Sequence, residues 1–519
     1  MTNTLPVRLD RAIARLAPAY PGPGGAVAVL QEGHVLARHA WGYANAERRI
    51  AFTPRTPFRM CSVTKQFTCA LVLDAFADPT VLDGDVAARL PKLEQPAPGA
   101  LHLCHNQSGL RDYWAVAMLH GSPTEAFFGD AEAARVISGT RTLQFTPGTR
   151  FSYVNQNFRI LSDILQDRTG RSFAELLRTR IFDRVGMGEA FLAADTRAMP
   201  DGAEGYEPMA LGGFRAAENR ILWTGDAGMA ASLDDMIAWE RWIDAARDDP
   251  ASLYGRMSAP VSFSDGAAAG YGFGLGRGKT LGRDSVGHGG ALRGWRSHRV
   301  YLPAERISVV VMFNHLSDAL EAAVDMLAAV LDEERPIADV NHAAPEWLGA
   351  YVEPETGLSV RIEAGPPGRV RLRYGHGPVL LDLNADGGAG EGPRLQPGEG
   401  GLQLTLPSDN QSSILSPRPG APTPDVAGSY HCAELDARVT VVDAGGVLYG
   451  GFSGFLGLGR MELLDPIGPD LWALPCPRAL DHTPPGDWTL AFQRDGEGRV
   501  KSVMVGCWLA RGLIYSRLQ

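Results

Sequence analysis

A serine and a lysine three residues apart, Ser62 and Lys65, have the spacing that most directly suggests chemistry. They stand in residues 58–68, where an apolar run with helical spacing begins, and residues three apart on a helix share one face. A serine hydroxyl becomes a nucleophile when a neighbouring base takes its proton, and a lysine can be that base if its surroundings keep the amine neutral. The pair therefore predicts Ser62 as a nucleophile and Lys65 as its activator, although two letters also match by chance in long chains.

The use of lysine in this chain strengthens that prediction. The sequence has 49 basic residues, and lysine occurs at four positions, Lys65, Lys92, Lys279 and Lys501. Arginine serves nearly everywhere else, and arginine does not release its proton at usable pH. Lys65 therefore stands where a lysine is needed, whereas the other three lysines fit solvated surface positions.

Two later segments carry polar groups suited to the same chemistry. Tyr153 and Asn155 follow a turn and precede a helix expected over about 158–169, and a phenol can act as acid or base while an amide can hold a carbonyl. Further on, glycines flank His288 and permit close backbone approach to a ligand at a strand edge. Singly these signals are weak, because tyrosines are often packing residues and lone histidines are usually not catalytic.

Taken in order, Ser62-x-x-Lys65, Tyr153-x-Asn155 and His288-x-Gly290 resemble the penicillin-recognising serine hydrolases, in the branch of class C β-lactamases, D-alanyl-D-alanine carboxypeptidases and related esterases. Phrases at 106–110, 182–187, 228–232 and 271–274 are also similar to that branch, so the resemblance covers about residues 5–330. It implies an α+β fold with a β-lactamase-like antiparallel sheet flanked by helices and a helical subdomain.

The resemblance also implies a role for each catalytic residue. Ser62 would attack a carbonyl carbon and form an acyl-enzyme, which water then hydrolyses. Lys65 would accept the proton or lower the pKa of its neighbours, and Tyr153 is the expected general base that relays the proton to the leaving group. Asn155 would hydrogen-bond the substrate carbonyl or Lys65. Which of Lys65 and Tyr153 holds the proton at rest is left open.

The segment around His288 departs from the family pattern. Many relatives carry Lys-Thr-Gly where this chain has His-Gly-Gly at 288–290, and that lysine helps to bind a terminal carboxylate. A histidine near neutral pH is mostly uncharged and gives a weaker anion site. This argues against β-lactams and carboxy-terminal D-alanine as main substrates. The oxyanion would be held by the backbone N–H groups of Ser62 and Ala291, the residue after Gly290.

The chain therefore looks similar to the D-stereospecific aminopeptidases of this family, which release D-amino acids from the amino end of peptides and amides and carry extra C-terminal β domains. The alternatives are an esterase or amidase, or a D-alanyl-D-alanine carboxypeptidase-like hydrolase, of the same fold. A non-catalytic sensor or scaffold is a further alternative, and the intact set of Ser62, Lys65 and Tyr153 argues against it.

The chain changes character after residue 334. Short alternating strands replace helical patterns, and Gly349-Ala350-Tyr351 recurs as Gly428-Ser429-Tyr430, a weak internal repeat. We predict a β-lactamase-like catalytic domain at 1–334 and two small antiparallel β-barrel domains at 335–417 and 418–519, with a proline-rich hinge at 416–424.

A long loop in the last domain is a candidate for substrate binding. An aminopeptidase must bind an ammonium group, which a carboxylate within about 4 Å does well. Residues 476–487 lie between two predicted strands, and hairpin loops are usually shorter. We predict that this loop reaches the serine cleft and offers Asp481, or with less support Asp487; the alternative is a proline-rich surface loop without a role.

Composition restricts the possible partners. The chain has 519 residues, 45% of them hydrophobic, and a net charge of -10 without a basic stripe, which argues against nucleic acid. Six scattered cysteines have no metal-like spacing, so free thiols and no metal or cofactor are expected. No stretch is typical of a signal peptide or a membrane span, which predicts a cytoplasmic protein. The expected partner is a small peptide or amide substrate, and a homodimer is an open option.

Overall fold

The computed structural model describes residues 4–335, 345–375, 377–384, 387–389, 392–481 and 485–519. The predicted linker around Pro336 and the middle of the predicted 476–487 loop, residues 482–484, lie outside the described residues. Within the described residues, no helix is both long enough and apolar enough to cross a bilayer. A cytoplasmic location stays a prediction.

An antiparallel sheet of eight strands forms the centre of the first 335 residues. In spatial order its strands are Tyr271–Gly272, Leu275–Thr280, Arg283–Leu292, Trp295–Leu302, Ile307–Phe313, Gly24–Gln31, His34–Asn45 and Ile50–Ala51. The strand Ile307–Phe313 is buried along its whole length, as its β-branched residues favour. The predicted hairpin is present, and its turn residues Glu32 and Gly33 both have positive φ, which suits the twist of a two-residue hairpin turn.

Helices cover both faces of this sheet. Their bounds are Leu5–Ala19, Thr64–Ala75, Asp83–Arg89, Ala100–Cys104, Tyr113–Leu119, Asp130–Ser138, Gln156–Thr169, Phe173–Leu176, Asp183–Val185, Leu233–Ala246, Leu253–Ser258 and Ala319–Leu331. The first and last of them pack on one face around Val27, Val309 and Met326. Most of the others, including the serine helix (Thr64–Ala75), share the large core on the opposite face. The serine helix is buried from Thr64 to Leu73, which makes it a rigid support for the residues at its start.

Three short ladders complete this part of the chain. They pair Phe58–Arg59 with Met229–Ala231 and Phe191–Leu192, Tyr206–Pro208 with Phe214–Ala216, and Val261–Ser262 with Ala268–Ala269. A fully buried ion pair, in which Arg299 Nε lies 2.6 Å from Glu240 Oε1, joins the strand Trp295–Leu302 to the helix Leu233–Ala246. The sheet and the helices on this face are therefore fixed to each other by charge as well as by packing.

The first C-terminal unit is a closed antiparallel barrel. Its strands are Gly349–Val352, Ser359–Ala364, Arg369–Arg373, Pro378–Asn384, Gly387–Ala389, Arg394–Gly398, Gly401–Leu406 and Gln411–Pro417. Alternate residues such as Val370, Leu372, Leu381 and Leu404 point into its core, as the alternating sequence pattern predicts.

The second C-terminal unit is a ten-stranded antiparallel sheet. Its strands are Gly428–Cys432, Ala437–Asp443, Leu448–Gly454, Gly457–Leu458, Glu462–Leu463, Asp465–Gly468, Leu471–Leu474, Trp488–Arg494, Val500–Cys507 and Ala510–Arg517. It differs from the predicted second closed barrel, because its two edge regions are joined through one short segment and not by a continuous ladder between two strands. Glu462–Leu463 pairs with the strand Leu448–Gly454, whereas Asp465–Gly468 pairs with Leu471–Leu474 on the other side. The sheet is thus a half-barrel whose two edges are linked through Leu464.

Candidate active site

Ser62 lies in a tight turn, Cys61–Val63, immediately before the serine helix rather than on the α-helix itself. Cys61 has a φ of 52°, a left-handed conformation that is uncommon for a non-glycine residue. The turn is held from below because Thr64 Oγ1 donates to Cys61 O at 2.6 Å and accepts from Met229 N at 3.0 Å. The hydroxyl of Ser62 is therefore presented by a strained but supported backbone, as is common at functional sites.

Lys65 is completely buried, and its ammonium group has three acceptors. Nζ lies 3.0 Å from Ser62 Oγ, 2.8 Å from Asn155 Oδ1 and 2.7 Å from Asp226 O. Burial lowers the pKa of Lys65 to about 8, and the carboxylates of Asp226 and Asp112 oppose that change. At a pH near 7 about a tenth of the molecules therefore carry a neutral amine, which can take the proton of Ser62.

Tyr153 faces the same hydroxyl from the other side. Its phenol is hydrogen-bonded to Ser62, and the Lys65 ammonium lies 4.9 Å from its ring centroid. Burial raises the pKa of Tyr153 well above its usual range. The phenol therefore keeps its proton at neutral pH, and of the two bases left open by the sequence, Lys65 is the one that titrates near that range.

Asp112 orients Asn155 and is a residue that the sequence reasoning missed. Its Oδ2 accepts from the backbone N of Asn155 at 2.6 Å and from Asn155 Nδ2 at 2.9 Å. The amide is thereby fixed with its oxygen towards Lys65. Burial raises the pKa of Asp112 to about 6. The sequence signal, an aspartate before a helical run, indicates the helix cap that Asp112 also forms with Trp114 N, but not this second contact.

His288 is neutral and is bonded to Tyr271. Nδ1 lies 2.6 Å from Gly289 O, and since a carbonyl oxygen accepts, Nδ1 donates; Nε2 then accepts from the Tyr271 hydroxyl at 3.0 Å. Burial and the Lys65 charge lower the pKa of His288 to about 3. The side chain is therefore uncharged, in agreement with the weak anion site inferred from the sequence. Tyr271 lay in a phrase singled out by the sequence, but its contact with His288 was not predicted.

Gly290 allows its strand to approach the serine turn. A Cβ at this position would stand 2.2 Å from Met60 O and 2.4 Å from Ser297 Oγ. Ser297 Oγ donates to Met60 O at 3.0 Å, so the turn and the neighbouring strand are joined at this point. Ala291, the next residue, lines the same cavity as Ser62, as expected if its N–H helps to hold an oxyanion.

Ser62, Asp112, Tyr153, Asn155 and His288 line a cavity of about 420 Å³, and the last domain closes part of it. Asp481, Pro485 and Leu509 line it together with Ser62. Asp481 is 8% exposed, and its Oδ1 is buried without a hydrogen-bond partner among the described residues. Burial and the nearby Asp112 raise the pKa of Asp481, whereas Lys65 and Arg296 lower it. Asp487 instead pairs with Arg361 at 2.6 Å and lines a different cavity.

Comparison with known proteins decides the family. Residues 9–332 match the Beta-lactamase family, and residues 340–516 match the family described as D-aminopeptidase, domain B. The whole chain is 60% identical to the D-aminopeptidase of Gluconobacter oxydans (strain 621H), with 100% of each chain covered. The chain belongs to the D-aminopeptidase family. The predicted resemblance is thereby confirmed, and the protein is a serine hydrolase.

Solved structures show the fold of this D-aminopeptidase family member. An octameric penicillin-binding protein homologue from Pyrococcus abyssi matches with a TM-score of 0.54 at 19% identity, over 88% of this chain and 99% of that one. The D-amino acid amidase from Ochrobactrum anthropi SV3, in complex with L-phenylalanine, matches with a TM-score of 0.50 at 18% identity, over 64% of this chain and 99% of that one. At such identities these likenesses concern the fold alone, and the predicted α+β fold class is confirmed.

The site of this D-aminopeptidase family member thus brings together the residues named from the sequence, with the exception of Asp487. These are Ser62, Lys65, Tyr153, Asn155, His288, Gly290, Ala291 and Asp481. Asp487 lies apart. The residues that sequence reasoning missed are Asp112 and Tyr271, which hold other site residues in place. The described residues contain no cluster of histidine, cysteine and carboxylate side chains suited to a metal ion.

Proposed function

We propose that this chain is a serine aminopeptidase that hydrolyses peptides and amides with an amino-terminal D-amino acid through an acyl-enzyme. One observation carries the proposal: Asp481, a buried residue whose Oδ1 has no hydrogen-bond partner among the described residues, lines the same cavity as Ser62, which is hydrogen-bonded to Lys65 and Tyr153. A buried carboxyl oxygen without a hydrogen-bond partner is unfavourable, and a substrate ammonium would supply the missing donor and charge. The D-preference is supported by likeness to proteins named D-aminopeptidase.

In the proposed acylation step, Ser62 Oγ attacks the substrate carbonyl carbon and its proton passes to the neutral Lys65 amine, 3.0 Å away. The negative charge on the carbonyl oxygen is held by the backbone N–H groups of Ser62 and Ala291. The C–N bond then breaks. Tyr153 donates its phenolic proton to the leaving amine and regains one from Lys65, so that the relay ends with both groups in their starting states.

In the proposed deacylation step, water takes the place of the departed amine. Tyr153 accepts a proton from the water as it passes its own to the neutral Lys65 amine, and the resulting hydroxide attacks the ester carbonyl. The bond to Ser62 Oγ then breaks, Lys65 returns the proton to Ser62, and the free acid leaves. Asn155, fixed by Asp112, keeps Lys65 in position through both steps. The neutral His288 offers no charge for a terminal carboxylate, which supports amide and peptide substrates recognised from their amino end over carboxypeptidase substrates.

A panel of three substrates tests this function. We expect D-alanine methyl ester to be hydrolysed faster than L-alanine methyl ester, and faster than N-acetyl-D-alanine methyl ester. Ser62→Ala should abolish all activity with the fold retained, measured by circular dichroism. Equal rates on free and acetylated amines would instead identify an esterase or amidase, and equal rates on both enantiomers would remove the D-preference.

Asp481→Asn tests the proposed amine site separately. The substitution keeps the shape but cannot carry the negative charge that Asp481 would hold beside a bound ammonium, so it should raise KM for D-alanine methyl ester by about 10- to 100-fold. The acetylated ester, which has no ammonium group, should be hydrolysed nearly as before. Asp487→Asn is the matched control, because Asp487 lies in the same loop but pairs with Arg361. Equal effects of the two substitutions would contradict the assignment of Asp481.

We also propose the domain division given by the sequence, at 1–334, 335–417 and 418–519. It is supported by the closed barrel, whose strands extend from Gly349 to Pro417, and by separate apolar cores in the two C-terminal units. A homodimer stays a prediction, to be tested by light scattering.

A further inference from the structure

Four charged residues join the loop that carries Asp481 to the catalytic part of the chain. Arg478 Nη1 lies 3.2 Å from Glu125 Oε1, and Arg478 Nη2 lies 3.3 Å from Glu207 Oε2. Arg293 contacts the same two carboxylates, with Nη2 3.2 Å from Glu125 Oε1 and Nε 3.1 Å from Glu207 Oε1. We call Glu125, Glu207, Arg293 and Arg478 the charge cluster. Its two cations and two anions alternate, so each charge has two opposite charges of the cluster beside it, and Glu207 has Arg215 as a further neighbour at 3.8 Å.

The charge cluster links two segments of the active site that are far apart in sequence, the strand with Ala291 and the loop with Asp481. Arg293 follows Ala291 by two residues, at the end of the strand that carries His288 and Ala291. Arg478 precedes Asp481 by three residues. Arg293 is 3% exposed and also donates to Thr124 O at 3.0 Å, so it provides a fixed base for the more exposed Arg478. A displacement of Arg478 would therefore move Asp481 relative to Ala291.

Packing alone does not fix the start of this loop. A second cavity, of about 440 Å³, lies beneath it and is lined by Pro475, Cys476, Pro477 and Arg478. Cys476 packs in the core of the last unit, and Leu480, 1% exposed, packs into the core of the catalytic part, so apolar contacts hold both sides of Arg478. Apolar packing has no preferred direction, so it leaves the orientation of the polar Asp481 side chain open. Arg478 supplies a directional anchor.

We infer that Arg478 is a positioning residue for substrate binding: held by Glu125 and Glu207, it fixes the loop so that Asp481 meets the substrate's amino group. This inference rests on the proposed aminopeptidase function and adds the residue that positions Asp481 for it. Arg478 does not touch the substrate. Its effect is transmitted over three residues to Asp481, and misplacement of a binding group by about 1 Å is enough to reduce activity up to about 100-fold.

The test compares Arg478→Gln with the wild-type enzyme on two substrates that differ at the amine alone. The measured quantity is the ratio of kcat/KM for D-alanine methyl ester to kcat/KM for N-acetyl-D-alanine methyl ester. We expect Arg478→Gln to lower this ratio by about 10- to 100-fold, mainly through KM for the free amine. Arg478→Lys, which keeps the charge but not the forked geometry, should restore part of the ratio. Glu207 keeps Arg293 as a partner in both variants, so the fold is expected to persist.

Arg460→Gln is the matched control. Arg460 lines the second cavity, as Arg478 does, but is 85% exposed and pairs with Glu462. Its ratio should equal that of the wild type. An unchanged ratio in Arg478→Gln, or an equal loss on both substrates, would overturn the positioning role. A wild-type enzyme without any preference for the free amine would instead overturn the proposed function, and the two failures are therefore distinguishable.

Discussion

At the residue scale, two properties of Lys65 explain how a serine can be activated without a histidine. It is buried, which makes loss of its proton easier, and it has three acceptors, which hold the amine in one place. The nearby carboxylates of Asp226 and Asp112 favour the charged form, so burial lowers the pKa to about 8 rather than further. This intermediate value leaves both protonation states populated near neutral pH, as proton transfer in two directions requires.

The pH dependence of acylation follows from this value. A group that must be neutral to act gains activity as the pH rises through its pKa, so kcat/KM should increase with a midpoint near pH 8 and rise about tenfold between pH 7 and 9. N-acetyl-D-alanine methyl ester is the substrate of choice, because it has no amine that titrates in this range. A profile that is flat from pH 6.5 to 9 would contradict Lys65 as the base.

The residues near Ser62 differ in how much of their role the sequence carries. Ser62 and Lys65 were predictable because their contact depends on a spacing of three residues within one short segment. Asp112 was not, because its contact with Asn155 spans 43 residues and no local pattern encodes it. Asp481 could be singled out from an unusually long loop. Its burial, at 8% exposed, and its closeness to Asp112 could not be predicted.

At the scale of elements, the site depends on how closely one strand approaches one turn. Glycine at 290 permits this approach, since any side chain would meet Met60 O, an atom of the rigid turn that precedes Ser62. Ser297, on the adjacent strand, bonds the same oxygen and fixes the separation. The sequence indicated glycines around His288 but not which of them is required by contact, because this depends on the register with Ser297.

Gly290→Ala should therefore separate the strand from the turn. A Cβ only 2.2 Å from a backbone oxygen forces the strand to move, and the N–H of Ala291 moves with it. We expect kcat to fall by at least about 100-fold with a smaller change in KM, because the oxyanion contact strengthens in the transition state. Gly278→Ala is the control, since a Cβ there meets nothing within 4 Å. Similar losses in both variants would contradict the contact argument.

At the scale of the whole molecule, the active site is shared between the first and last parts of the chain. Asp481, Pro485 and Leu509 come from beyond residue 418, and Leu509 O accepts the backbone N–H of Asp112 at 2.9 Å. Ala115 and Leu119, from the catalytic part, are buried in the core of the last unit. The sequence predicted three units and a loop of the last unit that reaches the cleft. The surface by which the last unit packs on the catalytic part was not predictable, because no local sequence pattern encodes it.

Arg111 connects these two parts, and its removal should loosen them. Its side chain is 8% exposed, Nη1 lies 3.0 Å from Glu434 Oε1, and Nε donates to Arg511 O at 2.9 Å. Arg111→Ala leaves Glu434 without its cation, although Thr142 still donates to it, and leaves the Arg511 carbonyl without this donor. The free energy of unfolding should therefore fall by about 2 to 3 kcal/mol, measured by urea denaturation. The exposed pair of Arg141 and Glu94 gives the control, and Arg141→Ala should change the same quantity by less than about 0.5 kcal/mol.

The same substitution should also affect specificity, because Arg111 holds the last unit, which carries Asp481, against the catalytic part. If the last unit shifts, Asp481 and Leu509 leave the cleft together while Ser62, Lys65 and Tyr153 remain on elements of the catalytic part. Below the unfolding transition, Arg111→Ala should therefore lose the preference for free over acetylated D-alanine methyl ester before it loses esterase activity. Loss of both activities at the same urea concentration would mean that the two parts unfold as one unit and that the cleft cannot exist without the last domain.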